Sequence, residues 1–160
     1  MALACFRAFC AGDPEIVPRH HVFEIKGYRN LLNTLKRNEY VSSETFEAGG
    51  YDWRILYFPL GSSSAMSGYS SVYLELMTPG ASAWAKFELT VVPYRPPGRE
   101  ACHPFELYSS RVFKHGDASA MCGTHSFFER WKLSALGPYI RGDSFRIECA
   151  ISVYDYRRPY

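Results

Sequence analysis

The chain has 160 residues, of which 21% are charged, and its formal net charge at pH 7 is +2. This length suits one domain, which can bury about 70% of its unfolded surface without a metal or a disulfide framework. The basic residues are scattered apart from Arg157 and Arg158, which argues against a nucleic-acid-binding protein. No apolar run approaches the roughly 18 residues of a membrane helix. The short apolar start lacks the pattern of a signal peptide, so we expect an intracellular protein, cytoplasmic or nuclear.

Aromatic residues make up 16% of the chain, and such residues are enriched in strands. Apolar and polar residues alternate from His21 to Tyr28, where Phe23 and Ile25 share the phase that faces inward. The same alternation predicts further strands at 40–46, 51–58, 69–77, 83–92, 105–113 and 143–154. The sequence thus favours a fold made mainly of strands.

Shorter signals lie between these strands. Gly49-Gly50 predicts a hairpin turn, residues 29–38 a short helical turn, and residues 126–133 either a helical turn or a strand. Seven or eight strands without a long helix predict an all-β fold, an eight-stranded antiparallel β-sandwich. A parallel α/β sheet is excluded because its crossover helices are missing. We assign residues 1–19 to an N-terminal extension, 20–155 to the domain and 156–160 to a C-terminal tail.

No catalytic motif emerges from the residues. The chain contains neither a phosphate-binding P-loop nor a nucleophile elbow. We interpret Ser62-Ser63-Ser64 as a solvated loop and His20-His21 as the polar entry of the first strand. We therefore expect no enzyme and no cofactor; the alternative is an enzyme whose Ser, His and Asp residues meet only in the fold.

The five cysteines are irregularly spaced, which argues against a disulfide scaffold. Cys149 lies on the apolar phase of its strand and is expected to be a buried thiol. Cys102-His103 and Cys122 with His125 could suggest zinc, but no CxxC pair or HExxH motif supports a metal site.

Two aromatic residues are candidates for a binding surface. Tyr69 begins a strand beside the Ser-rich loop, and Phe87 lies between Lys86 and Glu88. An exposed aromatic cluster with polar neighbours would be a peptide-docking surface. The alternative is that each aromatic is an ordinary core residue of the sandwich.

An ordered series of motifs resembles the MATH (meprin and TRAF homology) domain over roughly residues 20–154. The series comprises HVFEIKGY at 21–28, VSSETF at 41–46, GGYDW at 49–53, YFPLG at 57–61, YSSVYLEL at 69–76, WAKFEL at 84–89, FFERWKL at 127–133 and YIRGDSFRIEC at 139–149. The residues of these motifs are most similar to those of MATH domains of plant MATH-BTB proteins, the group related to the speckle-type POZ protein.

The resemblance implies an eight-stranded sandwich with a binding role rather than an enzymatic one. In MATH-BTB proteins the domain captures substrates for a cullin-3 ubiquitin ligase. The captured peptide is extended, with an apolar residue, a polar residue and a Ser/Thr run. We therefore expect protein partners bound through short Ser/Thr-containing linear motifs, with ligase components as indirect partners.

The resemblance also implies a peptide-binding site. Its members are Tyr69, Phe87 and Phe113 as apolar contacts, with Arg111, Met121, Cys122, Gly123 and Thr124 along the rim. Cys122 and Thr124 stand where the family usually has aromatic residues. The alternative is therefore a degenerate or decoy copy that binds no peptide.

The chain ends at Tyr160, without room for a BTB domain of roughly 100 residues. We accordingly expect the module to lack a BTB domain. Since no heptad repeat supports a coiled coil, we expect a monomer.

Overall fold

The computed structural model describes residues 17–94, 106–135 and 137–154. Its strands are β1 (Arg19–Ile25), β2 (Val41–Ser42), β3 (Phe46–Ala48), β4 (Tyr51–Phe58), β5 (Tyr69–Leu76), β6 (Ser82–Val92), β7 (Glu106–Lys114), β8 (Met121–Glu129) and β9 (Phe145–Tyr154). The helices are α1 (Tyr28–Thr34), α2 (Arg130–Ala135) and a 3-10 turn (Ala118–Ala120). Residues 1–16 of the assigned extension, and the whole assigned tail, lie outside the described residues.

The strands form two antiparallel sheets. Sheet A has the order β1-β9-β6-β7, and sheet B has the order β2-β4-β5-β8, with β3 also paired to β4. β2 and β3 lie on the same edge of β4, one after the other, and Ser43 between them still bonds to Ile55 through its backbone N–H at 2.9 Å. If β2 and β3 are counted as one interrupted strand, the described residues form eight strands. The predicted all-β antiparallel sandwich is confirmed.

The core lies between the two sheets, and its members follow the predicted alternation. Val72, Leu74 and Leu76 of β5 are fully buried, and so is Cys149 of β9. Burial raises the pKa of the Cys149 thiol. Trp53 lies in the centre, and its indole N–H donates to the Ala48 carbonyl at 3.1 Å. This bond satisfies the one polar atom of the indole ring inside the core.

The hairpin prediction at Gly49-Gly50 is confirmed. The two glycines connect Ala48 to Tyr51, which pair across β3 and β4, and their φ angles are +60° and +82°. Positive φ at both central residues is the type I′ turn, which matches the twist of antiparallel strands.

β8 begins earlier than the sequence signal at 126–133. Met121 to His125, which no strand prediction covers, belong to β8. Residues 126–133 hold both predicted states, since β8 ends at Glu129 and α2 begins at Arg130. Gly123 within β8 weakens the strand signal but is required there by a close approach to β5.

The Ser-rich loop is less solvated than predicted, because it covers the outer face of sheet B. Ser62 is buried; its N–H donates to the Ser71 hydroxyl at 2.9 Å, and its hydroxyl lies 3.1 Å from the Tyr73 hydroxyl. The Arg37 guanidinium donates to the carbonyls of Ser62 and Ala65. Only Ser63 and Ser64 of the serine run are exposed.

The His20-His21 pair lies inside β1 rather than before it. His20 points to the outer face of sheet A, where its Nδ1 lies 2.5 Å from a Glu148 carboxylate oxygen. His21 points inward and stacks on Phe46 of sheet B with ring centroids 4.3 Å apart. This stack joins the two sheets along one side of the sandwich.

Folding stability is expected to fall as the pH drops below about 6.5, and His21 is the reason. Its Nε2 is buried without a hydrogen-bond partner among the described residues. Burial lowers its pKa; Glu44 opposes this effect and Arg19 adds to it. The unfolded chain therefore binds a proton near pH 6.5, before the folded chain does. The penalty grows until the pH passes the folded pKa and is constant below it.

Urea unfolding of the wild type and His21→Phe at pH 7.5 and 5.0 measures this effect. The Phe ring keeps the stack on Phe46 without a titrating group, so the variant should lose less stability between the two pH values. An equal loss in both proteins would contradict the role of His21. The exposed His125, replaced with Gln, is the matched control.

Candidate functional site

Two free sheet edges meet on one side of the sandwich. In the described part of the chain, β7 pairs only with β6 and β8 pairs only with β5. The two edges touch where the Ser109 hydroxyl lies 3.7 Å from the Cys122 thiol. We call this strip the β7–β8 seam; it is formed by Ser109, Arg111, Met121, Cys122, Gly123 and Thr124. Backbone groups at a free strand edge are a template for an added strand.

Side-chain directions along the β7–β8 seam follow from strand register. On β7, Ser109 and Arg111 pair with the buried Phe87 and Ala85 of β6, so they belong to the inward face of sheet A. On β8, Cys122 and Thr124 pair with Leu74 and Val72 and point inward, whereas Met121 and Gly123 belong to the outer face. Successive side chains of an added strand would therefore contact, in turn, the inward-facing residues and the outer-face residues.

Of the eight predicted site residues, five lie at the β7–β8 seam. Arg111 is exposed, and Met121 is 37% exposed. Cys122 is only 8% exposed, and Gly123 and Thr124 are half-buried. Thr124 accepts a hydrogen bond from the Ser126 N–H at 3.1 Å through its hydroxyl oxygen, which leaves its own proton free to donate.

The assignment of Phe87 and Phe113 as peptide contacts is corrected by their burial. Their exposed fractions are 1% and 0%, and their ring centroids lie 5.8 Å apart. Phe113 also packs edge-on against Trp53 at 5.0 Å. Both rings belong to the core, as the alternative interpretation of Phe87 had it, and offer no surface to a partner.

Tyr69 lies apart from the other predicted residues. It pairs with Glu129 at the far end of β8, five residues along β5 from the partner of Cys122, or about 17 Å. It also shares the phase of Tyr73 on the outer face of sheet B. Its hydroxyl donates to Glu129 at 2.9 Å, and this carboxylate raises the pKa of the phenol. Tyr69 is therefore not a member of the β7–β8 seam.

Gly123 is required by the fold of the β7–β8 seam. A Cβ atom there would lie 2.0 Å from the Val72 carbonyl oxygen and 2.6 Å from the Tyr73 Cα. Both are backbone atoms of β5, so no side-chain movement relieves the contact. The glycine lets β8 lie closely against its neighbour and thereby sets the position of the free edge.

Ser109 is the member of the β7–β8 seam that sequence reasoning missed. Its signal was present: on the inward phase of β7 the residues read Leu107, Ser109, Arg111, Phe113. Two polar residues in the middle of a core phase indicate a place where the interior meets solvent.

The described residues contain no group of three His, Cys, Asp or Glu side chains placed to hold a metal ion. Cys102 and His103, considered above for zinc, lie outside the described residues. No helix in the described ranges has the length and apolar character needed to span a bilayer.

Comparison with known proteins gives the family. A family model described as MATH domain matches residues 20–151. The chain belongs to the MATH domain family. Its described sandwich is similar to TRAF5 of Notothenia coriiceps, with a TM-score of 0.60 over 88% of this chain and 76% of that one, at 15% sequence identity.

Curated relatives of this MATH domain come from Arabidopsis thaliana. BTB/POZ and MATH domain-containing protein 4 is 30% identical over 139 residues, which is 83% of this chain and 29% of the relative. BTB/POZ and MATH domain-containing protein 3 is 29% identical over 145 residues, 87% of this chain and 34% of the relative. The chain thus spans about a third of the length of these relatives. MATH domains are protein-interaction modules.

Proposed function

We propose that this MATH domain captures protein partners through a short, extended, Ser/Thr-containing segment that adds to the free edge of β8 along the β7–β8 seam. The observation that carries the proposal is the meeting of two sheet edges that, within the described ranges, are each paired on one side only. A segment added to such an edge gains main-chain hydrogen bonds, while its alternate side chains find separate contacts.

The contacts available to such a segment differ from those implied by the family resemblance. Phe87 and Phe113 are in the core, so the apolar contact falls to Met121 on the outer face. On the inner side the segment meets Arg111 and Thr124, which suit polar Ser/Thr side chains.

We further propose that the captured partners are substrates of a cullin-3 ubiquitin ligase. The support is the similarity to relatives named BTB/POZ and MATH domain-containing proteins. Such a role places the protein in the cytoplasm or the nucleus, as a monomeric module that meets ligase components indirectly.

Peptide binding is expected to weaken about fivefold or more in Met121→Ala, equal to about 1 kcal/mol, because an interface side chain is truncated. An array of Ser/Thr-containing ten-residue peptides, screened with the full chain, supplies the ligands, and fluorescence polarisation measures their affinities. Met66→Ala is the matched control, since Met66 is 69% exposed on the loop before β5.

The two outcomes of the array separate the candidate functions. A consistent motif whose affinity falls in Met121→Ala but not in Met66→Ala supports capture at the β7–β8 seam. If no peptide of the array binds, the chain is a degenerate copy and the proposal is contradicted. Equal affinities for both variants would place the binding surface elsewhere.

A further inference from the structure

Arg111 is an unusual residue in the described fold. It lies on the inward phase of β7, opposite the fully buried Ala85, and yet it is exposed. The strand therefore directs a cation toward the space between the sheets at the place where that space opens to solvent. Among the described residues Arg111 has neither a hydrogen bond nor an ion pair through its guanidinium.

Carboxylates of the elements around Arg111 are already engaged or point away. Asp117, in the turn after β7, accepts hydrogen bonds from the N–H and the hydroxyl of Ser119. Glu75, which pairs with the first residue of β8, forms an ion pair at 2.6 Å with an arginine of β4. Glu106 of β7 lies on the opposite face of its strand. Within the part of the chain that the structure describes, the five N–H donors of the Arg111 guanidinium thus lack an anion.

A hydroxyl group accompanies the guanidinium along the β7–β8 seam. Ser109 lies on the same face of β7, two residues or about 7 Å from Arg111. Thr124 lies farther away, beyond Cys122, because β8 runs antiparallel to β7 after the turn that joins them. A guanidinium beside a hydroxyl donor suits an oxyanion, because both supply hydrogen bonds and neither supplies negative charge.

We propose that Arg111 determines specificity: the captured segment carries a phosphorylated serine or threonine, which binds the Arg111 guanidinium. This inference rests on the proposed function, because it names the ligand class of the same β7–β8 seam. A phosphate presents three acceptor oxygens and close to two negative charges, and arginine binds it in a bidentate manner. Glu and Asp share the oxyanion chemistry with fewer oxygens and less charge, so they bind more weakly.

The test uses the full chain and a library of ten-residue Ser/Thr-containing peptides in which each position is scanned with Ser, phosphoserine, Glu and Lys. Affinities are measured by fluorescence polarisation for the wild type, Arg111→Gln and Arg111→Glu. Arg29→Gln is the matched control, since Arg29 is exposed on α1 and, among the described residues, its guanidinium has no hydrogen bond or ion pair; its backbone N–H donates to Asp143.

At one position of the peptide, the wild type should prefer phosphoserine over serine by about 10- to 100-fold, the range for hydrogen bonds to charged groups. Glu should fall between the two. Arg111→Gln should erase the preference by lowering the affinity for the phosphoserine peptide much more than the affinity for the serine peptide, and Arg111→Glu should favour Lys. Arg29→Gln should behave as the wild type.

Three results would overturn the inference. Equal binding of Ser and phosphoserine peptides removes the anion preference but leaves peptide capture intact. A preference that survives Arg111→Gln assigns the phosphate to another residue. The absence of binding to every peptide overturns the proposed function, and this inference with it.

Discussion

Gly123→Ala is expected to destabilise the domain by about 3 kcal/mol or more. The new methyl group would lie 2.0 Å from the Val72 carbonyl oxygen, and overpacking against rigid neighbours costs about 1–3 kcal/mol even where side chains can adjust. Here the obstacle is backbone, so β8 must move away from β5 and lose ladder hydrogen bonds. Urea unfolding followed by tryptophan fluorescence measures the change.

Gly142→Ala serves as the control for this prediction. A Cβ atom at Gly142 meets nothing within 4 Å, but its φ is +55°, so the cost is the left-handed backbone alone, about 1–2 kcal/mol. Should Gly123→Ala cost no more than Gly142→Ala, the close approach of β8 to β5 is wrong.

Phe113→Ala is expected to cost about 3–5 kcal/mol of folding stability, the usual range for truncating a buried aromatic residue. The ring is fully buried between Trp53 and Phe87, so its removal leaves a cavity and two unpacked aromatic faces. Met121→Ala, on the surface, should change stability by no more than about 0.5 kcal/mol. Chemical denaturation of the two variants places each residue in the core or on the surface.

A conservative variant keeps this test decisive if Phe113→Ala fails to fold. Phe113→Leu keeps an apolar side chain and leaves a smaller cavity, so it should cost clearly less than Phe113→Ala. The opposite pattern, with little change in stability for Phe113→Ala and a loss of peptide binding, would return Phe113 to the binding surface.

Strand alternation predicted the core because a strand has only two faces. Once Val72 and Leu74 are placed inward, the face of each remaining residue of β5 is fixed by alternation, and the burial of these residues agrees. The same rule, applied to Tyr69 three positions before Val72, would have put it on the outer face and outside the binding site. The family resemblance alone assigns Tyr69 to the binding site, against the alternation of its own strand.

The β7–β8 seam could not be located in the same way. Alternation gives the face of a residue within its own sheet, whereas the contact between Ser109 and Cys122 joins different sheets. The register of β8 is also irregular, because it shifts between Ser70 and Val72, where Ser71 donates to the His125 carbonyl at 2.9 Å. A bulge of this kind is set by its neighbours and leaves little trace in the sequence.

Gly123 and Arg111 are required for different properties of this domain, Gly123 for folding and Arg111 for recognition. A copy that had stopped binding partners would still need Gly123, since without it β8 cannot lie against β5. Arg111 forms no hydrogen bond or ion pair within the described fold, so a copy released from recognition could lose it at no cost to folding. Substitution of Arg111 in a copy that retains Gly123 would indicate a domain that still folds but no longer binds its partners.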